Sequence, residues 1–553
     1  MSDLTDRVQN WIDLDPDPST RAELAELLAA GDLVTLDRLF DGRLAFGTAG
    51  LRAALGPGPQ RMNSLVVRQT TAGLMDWLAA QGLSTPTVVV GFDARYGSAQ
   101  FARDTAGVIG ARGGRALLLP RPLPTPVLAR AVLSQGADAG VMVTASHNPP
   151  ADNGYKLYLG DGIQLVAPAD TQIAAAIDTV AAASTPIEVA ETGVIGLDDE
   201  VAHEHLEAIQ HVLLTEHREV RSVYTAMHGV GGDHLLAAFE RAGFPAPAVV
   251  VEQFAPDPDF PTVAFPNPEE PGALDLALAL AARESADVVL ANDPDADRLA
   301  IAVPNREGSA FIALSGDQLG VLLADHLIRH TSGAHRLVAN SLVSSRLLSR
   351  MAGAEGVTSV TTLTGFKWVA RPMVEAPEKQ YLLGYEEAIG YSVGGIVRDK
   401  DGISAALVAA EMVAEARASG ETVWDRLDRL AVAHGTHLTA PVSVRYDGSG
   451  AARLMDETME RALASPPAEL GGSALVSAED LSAGRHFAAT PGLVLVYADD
   501  TRVIVRPSGT EPKIKAYIEV VEPVTDHLDI DSSRQRAEER LSEAGAEISA
   551  LLG

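Results

Sequence analysis

The chain contains no cysteine among its 553 residues, which excludes disulfide bridges, thiolate metal sites and cysteine nucleophiles. It is also short of positive charge, with 43 Lys and Arg against 74 Asp and Glu and a formal net charge of -31. Such a surface repels nucleic-acid phosphates and anionic membranes, so neither is expected as a partner, and an anionic ligand needs a local basic pocket. The opening stretch "MSDLTDRVQNWIDLDPDPST" lacks the basic start and apolar run of a secretory leader. No uninterrupted apolar segment has the length needed to span a bilayer. These absences lead to the expectation of a soluble, cytoplasmic protein.

What the chain does have is a hydrophobic content of 46%, enough for several cores of about 100 to 200 residues each. Through about the first 430 residues, short β-branched runs alternate with Ala- and Leu-rich helical stretches, the pattern of βαβ units on mostly parallel sheets. One set of strands is expected at 85–93, 114–120 and 137–146. A second is expected at 221–229, 247–254 and 286–304, with helices beginning near His234 and Gly272, and a third at 335–343, 357–365 and 381–394. Beyond these, "APVSVRYD", "GLVLVYADDTRVIVRPSG" and "KIKAYIEVVEP" have hairpin-like spacing before an amphipathic helix at 533–552, which suggests a separate α+β domain. The expected division is 1–204, 205–307, 308–438 and 439–553.

Four clusters carry chemistry. In "NDPDADR", Asp293, Asp295 and Asp297 follow an apolar strand; three carboxylates this close repel one another unless a cation lies among them, and their hard oxygens suit Mg²⁺ or Ca²⁺. Counting from Asp293, an EF-hand would need Gly and Glu where Arg298 and Pro304 stand, so a calcium-sensor loop is excluded. "RPSGTEPK" offers an Arg fork, two hydroxyls, a Gly and a Lys, the donors a phosphate needs. In "GYEEAIGY", Glu386 and Glu387 are neighbours on an expected strand and point to opposite faces. One of them is available to sugar hydroxyls, and the other is expected in a structural salt bridge.

"VMVTASHNPP" sets Ser146 at the end of a strand beside His147. The G-x-S-x-G elbow is absent, and an adjacent His is poorly placed as base for its own neighbour, which argues against acyl transfer. Ser146 carrying a phosphoryl group beside the three aspartates fits better.

The motifs "FGTAGLR", "TASHNP", "NDPDADR", "GYEEAIGY", "VRDKDG" and "RPSGTEPK", in this order along nearly the whole chain, resemble those of the α-D-phosphohexomutases, the phosphoglucomutase and phosphomannomutase superfamily. The resemblance implies a heart-shaped α/β protein of four domains, three related mixed-sheet α/β domains plus a C-terminal α+β domain, with loops from all four meeting in one cleft. It implies a mutase that moves phosphate between C1 and C6 of a hexose, glucose or mannose, through a phosphoserine enzyme and a bisphosphorylated sugar. Phosphopentomutase and glucose-1,6-bisphosphate synthase are the alternative activities within the family. A phosphatase and a silent phosphosugar-binding regulator are rivals outside mutase chemistry.

Carried over by motif, Ser146 resembles the phosphoserine, and Ser146, Asp293, Asp295 and Asp297 the Mg²⁺ site. Arg52, His147, Lys156 and Arg298 resemble the surrounding cations, and Lys156 and Lys400 are both candidates for proton transfer. Thr364, Gly365, Lys367 and Glu386 resemble the sugar loops, and Arg506, Ser508, Gly509, Thr510 and Lys513 the site for the unreacting phosphate. The implied cofactors are Mg²⁺ and a sugar bisphosphate such as glucose 1,6-bisphosphate as activator, and the partner is the phosphosugar itself, bound by a monomer or weak dimer. Where many hexomutases place a Ser after the Glu pair, this chain has Ala388, which removes a hydrogen-bonding group from the sugar loop.

Overall fold

The computed structural model describes residues 2–47, 50–446, 450–508 and 513–553. The chain forms two compact units: Met1–Leu314 with Met373–Pro377 and Gly390–Glu415, and Ser315–Pro372 with Glu378–Ile389 and Ala416–Gly553. No helix among the described residues is long and apolar enough to cross a membrane.

The first unit holds two mixed sheets. In the first, Thr87–Phe92 runs parallel to both Arg115–Leu118 and Ala139–Val143, while Asp152–Leu159 and Leu51–Ala54 extend the edge antiparallel. Ala139–Val143 is buried at every position, as expected of a strand covered on both faces, and each of its large apolar side chains contributes about 1.5–3 kcal/mol. In the second sheet, Ser222–Thr225 lies parallel to Val288–Ala291 and Ala248–Val249, and Ala300–Pro304 returns antiparallel beside Val288–Ala291. Ser146 and Asp293 each follow the carboxyl end of a central parallel strand, where sheets of this kind bind ligands.

Two details depart from expectation, and a third concerns a segment for which none is stated above. The run at 247–254 forms only the two-residue strand Ala248–Val249 and then the helical turn Val251–Phe254, because pairing with Ser222–Thr225 covers just Val223 and Tyr224. The stretch 286–304 is two antiparallel strands with the acidic loop as their connection. The N-terminal segment forms three helices, Ser2–Leu14, Pro18–Ala30 and Leu33–Phe40, whose Val8, Trp11, Leu24, Leu36 and Phe40 join the core of the first sheet. Asp17 and Asp32 cap the second and third of these helices by accepting the N–H of Ser19 and Thr35.

In the second unit, Arg336–Ser341 lies between Thr358–Thr362 and Gln380–Glu386, parallel to both. The C-terminal sheet is antiparallel throughout, in the order Thr436–Arg445, Lys513–Glu522, Arg502–Pro507, Leu493–Tyr497, Ser473–Asp480 and Glu469–Leu470. Ala544, Ile548 and Leu552 of the last helix, Ile530–Leu552, pack into its core, so the α+β character read from the sequence holds.

Candidate active site

Ser146 is held in a left-handed backbone conformation, φ 51°, which costs a non-glycine residue about 1–3 kcal/mol unless its surroundings impose it. Here they do. The Ser146 N–H donates to Thr144 Oγ1 at 2.8 Å, and the buried Arg95 guanidinium donates to the carbonyls of Ser146, Asn148, Pro149 and Asp152. Asp93, 3.4 Å from Arg95, balances that charge, and the ring of Phe260 stacks on the guanidinium at 4.8 Å.

The Ser146 hydroxyl donates to Asp293 Oδ2 at 2.7 Å. Asp293, Asp295 and Asp297 are buried, and each offers one oxygen within 4.8 Å of the other two. The loop that carries them is fixed from within and from outside. Ala296, at φ 54°, donates its N–H to the Asp293 carbonyl, and Val230 donates its N–H to the Pro294 carbonyl at 2.8 Å. Gly229 passes so close that a Cβ there would lie 2.3 Å from Pro294 Cα, which only glycine allows.

Lys156 Nζ donates to Asp295 Oδ2 at 2.7 Å and Asp297 Oδ2 at 2.8 Å, and Thr125 Oγ1 donates to Asp295 Oδ2 at 2.6 Å. Lys400 Nζ lies 3.1 Å from Asp297 Oδ2 and 3.2 Å from Asp399 Oδ1. The electrostatics split the three carboxyls. Burial, Asp295 and Asp297 drive Asp293 well above the usual carboxylate range. Burial would also raise Asp295, but Lys156 and Thr125 outweigh it and hold that carboxyl below its ordinary value. Asp297 is likewise lowered, burial and Asp295 being outweighed by Lys156, Lys400 and Arg298. Burial pulls the Lys156 ammonium down, yet Asp295 and Asp297 win and raise it.

The donor set passes the test for a hard divalent ion. Asp295 Oδ1 and Asp297 Oδ1 are buried with no hydrogen-bond partner, an arrangement that costs several kcal/mol unless a cation meets them, and the lysines occupy the opposite oxygens.

The first unit thus brings Ser146, His147, Lys156, Arg298, Lys400 and the three aspartates together. Arg52 reaches the serine loop through Asn148, its Nη1 donating to Asn148 Oδ1 at 3.0 Å. Arg298 donates its backbone N–H to Asp293 Oδ1 at 3.1 Å and pairs with Glu269 at 3.5 Å. His147 differs from the sequence reading in two ways. Its Nδ1 lies 3.1 Å from Ser146 Oγ, within reach of its neighbour. Arg298, burial and Arg52 hold the imidazole well below its ordinary value, so the ring is neutral where a cation was expected.

In the second unit, Glu386 ends its strand and Oε1 accepts the Gly365 N–H at 2.6 Å, which joins it to the loop of Thr364 and Lys367. Glu387 lies past the strand end, and the expected salt bridge is absent among the described residues. Ser341 and Ser344 donate to its carboxylate at 3.1 and 3.3 Å, and burial, Glu386 and Asp317 push it up to about 7. Arg506 pairs with Lys515 across a hairpin whose end is closed by the Ser508 N–H donating to the Lys513 carbonyl at 2.8 Å. Gly509 and Thr510 lie outside the described residues.

Arg95, Thr125 and Asp399 were not singled out from the sequence. Arg95 stands in "GFDARYGS", where a charged residue just past an apolar strand was the one available signal; Thr125 carried none.

Comparison with known proteins identifies the family. Models of phosphoglucomutase/phosphomannomutase α/β/α domains I, II and III match residues 43–184, 203–308 and 315–431, and the C-terminal domain model matches 475–526. A Haemophilus influenzae protein named "Probable phosphomannomutase" is 42% identical over 464 residues, covering 83% of this chain and 93% of that protein. The Homo sapiens protein named "Phosphopentomutase" is 33% identical, covering 94% and 92%. The crystal structure of Paramecium parafusin, titled a phosphoglucomutase, shares the fold at 18% identity, with a TM-score of 0.68 over 92% of this chain and 95% of that one.

The family models and the named relatives define a mutase, an isomerase that works by phosphoryl transfer. The chain belongs to the phosphoglucomutase/phosphomannomutase family, the α-D-phosphohexomutase superfamily.

Proposed function

We propose that this mutase interconverts hexose 1-phosphate and hexose 6-phosphate, of glucose or mannose, with Ser146 as the phosphoryl carrier. The observation behind this is the 2.7 Å bond from Ser146 Oγ to Asp293 in a buried acidic cluster that Lys156 has already half neutralised. In the forward half-reaction the Ser146 Oγ–P bond breaks, a bond forms from phosphorus to a sugar hydroxyl oxygen, and that hydroxyl's proton passes to a base. In the return half-reaction the bond from the other phosphorus to its sugar oxygen breaks, a bond forms from that phosphorus to Ser146 Oγ, and the freed sugar oxygen takes the proton back.

Lys156, gripped by two carboxylates and raised by them, serves as a fixed positive charge. Lys400, at longer range from Asp297 and Asp399, is the group left to move the proton. The neutral His147 orients the Ser146 hydroxyl.

The family depends on Mg²⁺. In this chain Asp293, Asp295 and Asp297 would hold it, with a sugar bisphosphate as activator to charge Ser146. Bound there, the ion supplies neutralisation of the negative charge that spreads over the transferring phosphoryl group. We assign sugar contact to Glu386 with the Thr364–Lys367 loop, and grip of the unreacting phosphate to Arg506, Ser508, Gly509, Thr510 and Lys513, with domain limits near 204, 307 and 438 and a cytoplasmic monomer or weak dimer as the working form.

A second reading, pentose 1-phosphate and 5-phosphate as substrates, is favoured by Ala388, which leaves the sugar loop without the hydroxyl that many hexomutases carry. Two measurements test the proposal: peptide mapping for phosphate on Ser146, and rates on glucose, mannose and ribose 1-phosphates with a bisphosphate activator. Phosphate on Ser146 and loss of turnover in Ser146→Ala are expected. Undiminished turnover in that variant, or inorganic phosphate as the main product, overturns the mutase mechanism.

A further inference from the structure

Lys400 is flanked by two buried aspartates, each anchored to a different part of the first unit. Asp399 Oδ2 accepts the Tyr158 hydroxyl at 2.6 Å and the Gln164 amide at 2.7 Å. Asp401 Oδ2 lies 3.1 Å from His205 Nε2, and His205 Nδ1 lies 2.9 Å from His234 Nε2. Asp401 and His205 are at most 1% exposed and His234 is 5% exposed, so every polar atom in this chain needs its partner.

The hydrogen-bond partners constrain where the protons lie. Asp401 stays ionised, because His205 and the Ser404 N–H outweigh the effect of burial. It therefore accepts the Nε2–H of His205, and His205 Nδ1 and His234 Nε2 share one proton between them. His234 is held well below its ordinary value by burial and by His205, Arg121 and Arg241, so its ring is neutral.

The other oxygen of Asp401 accepts the N–H groups of Ile403 and Ser404 at the start of helix Gly402–Ala418. Gly402 in turn donates its N–H to the carbonyl of Ala296, inside the acidic loop. Further along the same helix, Glu411 accepts from the N–H groups of Leu214 and Thr215 and from Arg218. The segment 205–218 therefore grips this helix at two points, and the first of them is one residue from Lys400.

We infer that His205 and His234 are positioning residues for Lys400: through Asp401 they fix the backbone at 399–402 so that the ammonium meets Asp297. A lysine has four rotatable bonds between Cα and Nζ, and anchoring the backbone on both sides is what limits where its ammonium can go. A displacement of about 1 Å in such a group costs on the order of 10²-fold in rate. His205 stands in helix Glu200–Ala208 and His234 in helix Gly232–Ala242, and both reach the ammonium through Asp401. The inference rests on the reading of Lys400 as the proton-transfer group.

The test is a double-mutant cycle in the full-length protein, with His205→Gln, Asp401→Asn, Lys400→Ala and the pairwise combinations, each assayed for phosphosugar turnover and for thermal unfolding. His205→Gln is expected to lower kcat by about 10- to 100-fold with KM little changed, and to cost nothing further in the Lys400→Ala background. Asp401→Asn, which keeps the side-chain shape, should behave the same way and carries the test if His205→Gln does not fold. Equal losses with and without Lys400, or a folded His205→Gln with unchanged kcat, overturn the inference alone. Full turnover in Lys400→Ala overturns the role of Lys400 and the positioning role with it.

Discussion

Ser146 and Asp293 lie 147 positions apart in the chain and share a 2.7 Å hydrogen bond. One residue follows a strand of the first sheet and the other follows a strand of the second, so the fold assembles the reacting centre from two loops that know nothing of each other in sequence. Expected outcomes follow for the groups that hold these loops.

Arg95→Ala removes the donor to four carbonyls of the serine loop and leaves Asp93 buried without its cation. Breaking a buried pair from one side costs about 3–5 kcal/mol. Urea unfolding should show a loss of that order, and turnover should fall further than stability predicts, because Ser146 is released from its left-handed conformation.

Gly229→Ala introduces a methyl group 2.3 Å from Pro294 Cα. The acidic loop must shift, and its three carboxylates with it. Calorimetric titration with Mg²⁺ should show affinity weakened by about tenfold or more, the range seen when the supports of metal ligands are altered. Unchanged affinity would mean that the loop is not set by this contact.

Glu387 gives the stability a pH dependence of defined sign. Its folded-state value of about 7 lies above the 4.5 of a free glutamate, raised by burial first and then by Glu386 and Asp317. The folded protein therefore binds a proton that the unfolded chain has already lost between about pH 4.5 and 7. This group's contribution is full below that window and declines as pH rises through it. Glu387→Gln removes the decline, so the difference in melting temperature between variant and wild type should grow in the variant's favour from pH 5 to pH 7 and level off above. A difference independent of pH contradicts the assignment.

Ala388→Ser restores a hydroxyl beside Glu387 in the turn that follows the sugar-loop strand. One added hydrogen bond is worth about 1 kcal/mol. The ratio of kcat/KM for glucose 1-phosphate over ribose 1-phosphate should rise by about fivefold, and a fall in that ratio would separate Ala388 from sugar choice.

The legible part of this protein was the part written in consecutive residues. "TASHNP" and "NDPDADR" each concentrate several functional groups within seven positions, and the apolar strands before them announce where the loops begin. Supports drawn from elsewhere left no such trace. Arg95 serves Ser146 from 51 positions away, Thr125 serves Asp295 from 170, and His205 serves Asp401 from 196. Local pattern also failed where pairing decides the outcome: "VVVEQF" has the composition of a strand, but only Ala248 and Val249 find a neighbouring strand and the rest turns into a helix. Glu387 was read as a salt-bridged partner because its two serines sit 43 and 46 positions earlier.

The placement of Lys156 between Asp295 and Asp297 bears on how the protein matures. Three carboxylates with no cation would resist burial during folding, but this chain brings its own counter-charge in Lys156 and Lys400, leaving one oxygen on each of two aspartates for a guest. On the proposed reading, folding around these lysines comes before uptake of a divalent ion. Metal loading is then expected to be a reversible event of the finished protein, and a chelator to silence turnover while the fold persists.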